Sequence, residues 1–364
     1  MAILDNYIIA QPKSKIKAGE GKSSGIYKFF NSSNIQTKYY DEYQYDEPAL
    51  IFGTGGNASI HYCDEPFSTS TDCIVFYARN ESVDLKLIYI FISSNMYLLE
   101  SGFKGIGIKH ISKSYIQNIE IKIPEETLHC TITKSYDKLC SLITHRKKQL
   151  EKLDELVKSR FVEMFGDPIL NPKGWGVVSI GDIVTDVRYG TSRPAVEGGR
   201  YPYLRMNNLT SDGHIDLSDL KYIDIPEDEI DKCVVRKGDV LFNRTNSIEL
   251  VGKTAVFNLP NDMVIAGYII RVRLNEKLLP EVLSQYMNLE ALKGILRGMA
   301  KGAVNQANIN AQELQSIKVY LPYKELQNQF VDFVKQTDKS KFEIKNSLEK
   351  LELLKKALMQ KYFG

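Results

Sequence analysis

Leu150-Glu151-Lys152-Leu153, followed by Leu156 and Lys158, is spelled again as Leu348-Glu349-Lys350-Leu351 with Leu354 and Lys356, and Phe165-Gly166 returns as Phe363-Gly364. The numbering differs by 198 each time. The same interval joins Ile111, Ile119, Pro124 and Leu128 to Ile309, Ile317, Pro322 and Leu326, although Leu139 faces Thr337. A period of about 200 residues is far too long for a solenoid unit, so the chain reads as a tandem duplication of one domain followed by one long helix.

From Glu125 to Phe165 there is neither Pro nor Gly, and Ile132, Tyr136, Leu139, Ile143, Leu150, Leu153, Val157 and Met164 recur at helical spacing. Forty residues of helix span about 60 Å. Gly166 and Pro168 supply the stop signal. A second helix is expected over 324–362, with Phe330, Val334, Ile344, Leu348, Leu351 and Leu358 on its seam. Both seams carry charge, Arg146 and Arg160 in the first and Lys341 and Lys355 in the second. Apolar stripes of this length call for a partner, and each helix is the natural partner of the other, in an antiparallel pair that acts as a spacer. Two separate helices, each lying on its own domain, are the alternative.

The intervening stretches consist of short apolar runs broken by polar turns, such as Ile26–Phe30, Ala49–Phe52 and Cys73–Tyr77, and read mostly as strands. They also match each other. Tyr27 and Asn34-Ile35 correspond to Tyr201 and Asn208-Leu209, Ile51-Phe52 to Leu241-Phe242, and Lys104-Gly105 to Lys301-Gly302. The interval grows along these pairs, which puts the extra residues of the second copy chiefly between Leu209 and Leu241. One scaffold with different loops is the mark of a recognition domain. The expected class is α+β: two strand-rich domains, 1–124 and 167–322, and two helices, 125–166 and 323–364, related by an internal pseudo-two-fold.

Composition narrows the function. With 364 residues, 43% of them hydrophobic, two globular domains are expected. No apolar run is long enough to cross a bilayer and no signal peptide is evident, so a cytoplasmic location is expected. Five cysteines without a C-x-x-C pair argue against a disulfide framework and a structural zinc. A net charge of +2 is too small to announce a nucleic-acid binder, so such a role must come from local clusters.

The chain resembles the specificity subunit of type I restriction-modification enzymes. In the second half the resemblance rests on Asn171-Pro172-Lys173-Gly174-Trp175, Gly190-Thr191-Ser192-Arg193-Pro194, Tyr201-Pro202-Tyr203-Leu204-Arg205, Lys237-Gly238-Asp239-Val240-Leu241, and Asn308-Ile309-Asn310 leading to Leu321-Pro322. In the first half it rests on 25–36, Phe52-Gly53-Thr54-Gly55-Gly56-Asn57 and 106–111. It implies two target recognition domains, each reading half of a bipartite sequence in double-stranded DNA. Between them it implies paired helices that set the spacing and bind two copies of a modification (methyltransferase) subunit, with a restriction (motor-nuclease) subunit joining for cleavage. The first copy departs from the pattern, because Ile3–Asp5 matches the region of Ile180–Asp182 and the lead-in of 171–178 has no counterpart there.

Catalytic motifs are missing, which agrees with a non-enzymatic subunit that needs no cofactor of its own. An amino-methyltransferase of the resembling kind needs an Asn or Asp before Pro-Pro and an aromatic residue, yet none of the 12 prolines adjoins another. Gly252-Lys253-Thr254 looks like the end of a P-loop, but the position of the required earlier glycine is Ser247. Glu120-Ile121-Lys122 has nuclease-like spacing, but its repeat partners are Lys318-Val319-Tyr320.

The residues expected at DNA are polar groups at strand ends. Asn243, Arg244, Thr245 and Asn246 follow a buried run, and Arg and Asn suit bidentate contacts with guanine and adenine edges. Thr54, Gly55, Gly56 and Asn57 take the matching place in the first copy. Lys104, Lys109 and His110, and in the second copy Lys301, Asn305, Gln306 and Asn308, form a further loop, and Arg193 and Arg205 are added as phosphate or base contacts. Ordinary polar turns and solvated charge are the competing readings. For the chain as a whole, a free-standing sequence-specific DNA-binding protein is the alternative.

Overall fold

The structure is a computed structural model that describes residues 2–107, 109–302 and 306–364. The chain divides into two compact units, Met1–Lys147 with Lys345–Gly364, and Lys148–Ile344. Each unit therefore takes part of both long helices, Glu126–Phe165 and Lys324–Phe363.

The first unit is built on an antiparallel sheet in the order Ile8–Ala10, Cys73–Ala78, Ala49–Gly53, Ser59–Cys63. The central strand Ala49–Gly53 is buried throughout, because both of its faces are covered. Successive side chains of a strand point to opposite faces. Leu50 and Phe52 accordingly pack on the helix Leu85–Ser94, through Leu87 and Ile88, while Ala49 and Ile51 join Phe30, Phe67 and Val75 beneath a second sheet. That sheet runs Lys38–Tyr40, Tyr27–Phe30, Phe67–Thr69, and its last pair is parallel.

The second unit repeats the plan. Its first sheet runs Val184–Tyr189, Ile269–Leu274, Val240–Asn243, Thr254–Val256, and its second Lys221–Ile223, Tyr201–Leu204, Met263–Ile265, Val234–Val235, again with one parallel pair. The additional strand Val234–Val235 and the helix Glu227–Cys233 fall between Leu209 and Leu241, where the extra residues of the second copy were expected.

Hydrogen bonds fix the equivalences residue by residue. Ile111 donates its amide to the carbonyl of Thr54, as Ile309 does to that of Arg244. Phe30 accepts from Ser70, as Leu204 does from Ala266. At the N-terminus the register moves by one. Leu4 donates to Ile119 as Ile180 does to Ile317, so Leu4 and not Ile3 is the counterpart of Ile180.

Both long helices pack as antiparallel partners within each unit. In the first, Lys355 lies over the Tyr136 ring at 4.6 Å, Lys147 pairs with Glu352 at 3.5 Å, and Ile132, Met359 and Phe363 share the core. In the second, Phe161 meets Phe330 edge-on at 5.3 Å, and Lys341 is ion-paired with Asp154. The charges on the seams are thus partnered rather than disruptive. The strand reading of the domains missed the helices Leu85–Ser94, Pro280–Asn288 and Glu290–Met299. In Leu85–Ser94 the β-rich composition Leu-Ile-Tyr-Ile-Phe-Ile is overridden by the Asp84 cap, whose carboxylate accepts from the Leu87 amide at 3.0 Å. No helix among the described residues is long and apolar enough to cross a membrane.

Candidate nucleic-acid interface

Several loops of the second unit meet at the turn Ala266–Tyr268. Ala266 N–H donates to Leu204, Gly267 N–H donates to Thr191 at 2.7 Å, and the Tyr268 carbonyl accepts from Arg244 at 3.0 Å. Thr245–Asn246 then pairs antiparallel with Ala307–Asn308, and Asn308 exchanges two backbone hydrogen bonds with Lys301. The backbone segments that carry Arg193, Arg205, Asn243–Asn246, Lys301 and Asn308, five separate stretches of sequence, are thereby linked through this turn and the strand pair beside it.

The first unit links its corresponding loops in the same way. Ser70 donates to Phe30, Thr71 to Ile16, and Thr54 to Asp72. Gly56 donates to Lys109 at 3.1 Å, and His110 exchanges backbone hydrogen bonds with Lys104. The His110 ring also approaches the Thr54 carbonyl at 3.1 Å. Gly53, at the position of Asn243, has no room for a side chain, because a Cβ there would lie 2.2 Å from Ser59 Oγ.

Side-chain partners sort the candidates. Asn243 is fully buried, and its amide donates to the carbonyls of Thr245 and Tyr268, so it holds the turn together. Asn246 donates to Asn243 Oδ1 and accepts from the Ser247 amide, and Thr245 donates to Asn308 Oδ1. Arg244 stacks 4.8 Å over the Tyr189 ring, while Nη1 lies 3.5 Å from the Gly267 carbonyl and buried Nε has no partner among the described residues. Arg193 is held in a two-point ion pair by Glu229, and Arg205 by Asp219 at 2.6 Å. The Arg193 guanidinium keeps the Glu229 carboxyl below its usual range, as Arg205 does for Asp219. These pairs use Nε and Nη2 of Arg193 and Nη2 of Arg205. Lys301, largely exposed, pairs with Glu313 at 2.6 Å. Asn57, Lys104, Lys109, His110 and Gln306 are exposed. Asn305 lies outside the described residues.

Sequence reasoning missed Tyr189 and Tyr268. Tyr189 supports Arg244 from below and is fixed by its hydroxyl, which accepts from the Ala311 amide at 2.8 Å. Its place directly before the Gly190–Pro194 motif was the available signal.

Geometry accounts for two other side-chain groups. The Lys253 ammonium donates to the Met206 carbonyl at 2.9 Å from a buried position, so Gly252-Lys253-Thr254 does not cradle a phosphate. Asp154, Asp212 and His214 come close enough to suggest a metal cluster, but the Lys341 ammonium already neutralises Asp154 and approaches His214 Nε2 at 3.4 Å.

A second buried lysine makes the fold sensitive to pH. Lys293 donates to the Gly252 carbonyl at 2.5 Å, and burial, helped by Arg297, pushes its ammonium down to about 8. An unfolded lysine titrates near 10.4, so below pH 8 both states hold the proton and the burial penalty is complete. Between pH 8 and about 10 the unfolded chain holds more protons, and stability rises with pH by at most about 1.4 kcal/mol per unit. Lys293→Met should flatten this rise. The check is the difference in urea midpoint between variant and parent across that range, read by the fluorescence of Trp175, the single tryptophan.

Comparison with known proteins gives a consistent picture. The sequence model of the type I restriction modification DNA specificity domain matches residues 8–152 and again 172–355. The MjaX type I restriction enzyme specificity subunit of Methanocaldococcus jannaschii is 32% identical over 196 residues, which is 53% of this chain but only 46% of that protein. The EcoKI specificity subunit of Escherichia coli K12 is 24% identical over 322 residues, 82% of this chain and 69% of that one. Among solved structures, the S subunit of a type I system from M. genitalium aligns over 100% of this chain and 95% of its own, with a TM-score of 0.65 and 15% identity. A chain from a type I restriction-modification assembly gives a TM-score of 0.54 at 18% identity, over 100% of this chain and 96% of its own. These likenesses show the fold.

Proposed function

The chain belongs to the type I restriction-modification DNA specificity family, and from that premise we propose that it reads a bipartite target in double-stranded DNA and carries out no catalysis itself. Residues 1–124 and 167–322 serve as the two target recognition domains. Helices 125–166 and 323–364 serve as the spacer and as the seat of two modification subunits, with a restriction subunit joining for cleavage, in the cytoplasm. The observation that carries this reading is the doubled loop cluster: the same hydrogen bonds, Thr54 with Ile111 and Asp72, Arg244 with Ile309 and Tyr268, present different side chains on one scaffold. A fixed frame with variable loops is what separate reading of two half-sites requires.

Leu142, Leu156, Phe342, Leu353 and Leu354 remain exposed on the long helices, and they supply the apolar surface for the modification subunits. Sequencing methylated adenines in cells with and without the chain tests the reading. A bipartite motif should vanish with the chain. The alternative, a free-standing DNA-binding protein, predicts no change in methylation and no copurifying methyltransferase.

Base readout has a sharper test. Arg244→Ala should cost about 1–3 kcal/mol at the half-site read by the second domain and leave the other half-site unaffected. Arg244→Lys should not restore it, since an ammonium lacks both the two-point fork and the stacking plane used on Tyr189. Binding to duplexes altered one base pair at a time measures this. Equal loss on every sequence would reduce Arg244 to a phosphate contact.

A further inference from the structure

Beside the loop cluster of the first unit lies an open cavity of about 580 Å³, within the range of small-molecule sites. Asn34, Asn57, Ser59, Met96, Glu100, Phe103 and Lys109 are among the residues that line it. The second unit shows what its own scaffold does with the same corner. By strand register Ser59, opposite Gly53, corresponds to Lys253, opposite Asn243. Lys253 sends its ammonium to the Met206 carbonyl, whereas Ser59 sends only a hydroxyl to the equivalent carbonyl of Ser32, at 3.2 Å. Lys293, on the helix leading into the Lys301 loop, brings a second ammonium to the Gly252 carbonyl. Neither lysine has an acidic partner within hydrogen-bond reach among the described residues, so backbone carbonyls alone hold two N–H donors there.

The polar groups tell the same story. Asn208 accepts from the Arg205 amide and donates to the carbonyls of Asp216 and Asp219. Asn34, its counterpart, makes no side-chain hydrogen bond among the described residues, and neither do Asn57 and Glu100. The first unit therefore leaves without lysine the corner that Lys253 and Lys293 fill in the second, adds a carboxylate and two amides with no partner among the described residues, and walls it with a thioether and a phenyl ring.

We propose that this cavity binds a nucleobase whose Watson–Crick edge sets an exocyclic amine beside a bare ring-nitrogen acceptor, adenine or cytosine, supplied either by a free nucleotide or by an unpaired base of bound DNA. The amine donates to Glu100, the amides of Asn34 and Asn57 take the remaining edge, Met96 and Phe103 contact the ring, and Lys109 faces the phosphate. Uracil and thymine place a carbonyl oxygen where the carboxylate stands and are rejected. Only the DNA source rests on the reading of these loops as DNA-facing.

The test uses the full chain in two arms. In saturation-transfer NMR with adenosine, cytidine and uridine, the first two should receive signal on their base protons and uridine several-fold less. The signal should fall in Glu100→Gln, an exposed site that does not threaten folding, and disappear in Ser59→Lys, which installs the filler of the second unit. No transfer to any nucleoside, or equal transfer to all three that survives both substitutions, overturns the proposal. In the second arm, duplexes carry an unpaired adenine or cytosine at each position of the first half-site in turn. About tenfold tighter binding at one position, lost in Glu100→Gln, identifies DNA as the source, because the cost of unstacking has been prepaid. No gain at any position, with nucleoside binding intact, identifies the free nucleotide. A chain that binds nucleosides but no duplex at all refutes the DNA reading and leaves the site standing.

Discussion

Phe161→Ala is expected to destabilise the second unit by about 3–5 kcal/mol, the usual cost of deleting a fully buried aromatic side chain. Phe161 is 1% exposed and stands at the centre of an edge-to-face cluster, 4.9 Å from Phe165, 5.3 Å from Phe330 and 6.3 Å from Tyr286. It thus touches the first long helix, the second long helix and the domain at once, and no neighbouring side chain can close the gap without abandoning its own ring contacts. Trp175 is the reporter, since its indole N–H donates to the Phe165 carbonyl at 2.8 Å. A urea midpoint that moves by less than 1 kcal/mol equivalent would mean that the helices are not seated on the domain through this cluster.

Asp154→Ala is expected to cost about 2–3 kcal/mol, because it strands the Lys341 ammonium, whose side chain is 9% exposed, inside the helix seam. The loss falls at the low end for a buried pair for two reasons. Asp154 itself is 29% exposed, and Asp338, 3.9 Å from the ammonium, retains part of the attraction. Lys341→Met in the same chain should recover most of the stability, since removing both partners leaves no buried charge. If the double variant is no more stable than the single, the pair contributes packing rather than compensation of charge. His214, 3.4 Å from the same ammonium, ties a loop of the second domain to the seam, so the single variant should also loosen the segment Thr210–His214, which hydrogen exchange can follow.

Membership of the specificity family, the doubled architecture and the antiparallel pairing of the helices were legible because repetition and a 3.6-residue period are written locally. Ala49–Phe52 and Val240–Phe242 were legible as buried strands for the same reason, and with them the polar strand ends that follow. The helix Leu85–Ser94 was not, because its β-branched and aromatic residues favour strand until the Asp84 cap and the covering sheet are both present.

By itself, then, the sequence determined two copies of one domain, two long helices and the stretches from which a recognition face could be drawn. The tertiary structure alone decided which members of those stretches meet and which are free. Asn243 and Arg244 are neighbours of equal promise in sequence, yet one is buried in the service of Tyr268 while the other lies over Tyr189. Lys341 reads as an interruption until Asp154, far away in the chain, arrives beside it. Ser59 and Lys253 show their equivalence only through strand register, and only then does one copy prove open where the other is filled. In each case the deciding quantity is a hydrogen bond or a desolvated charge, whose partner is set by non-local pairing and so has no local signature.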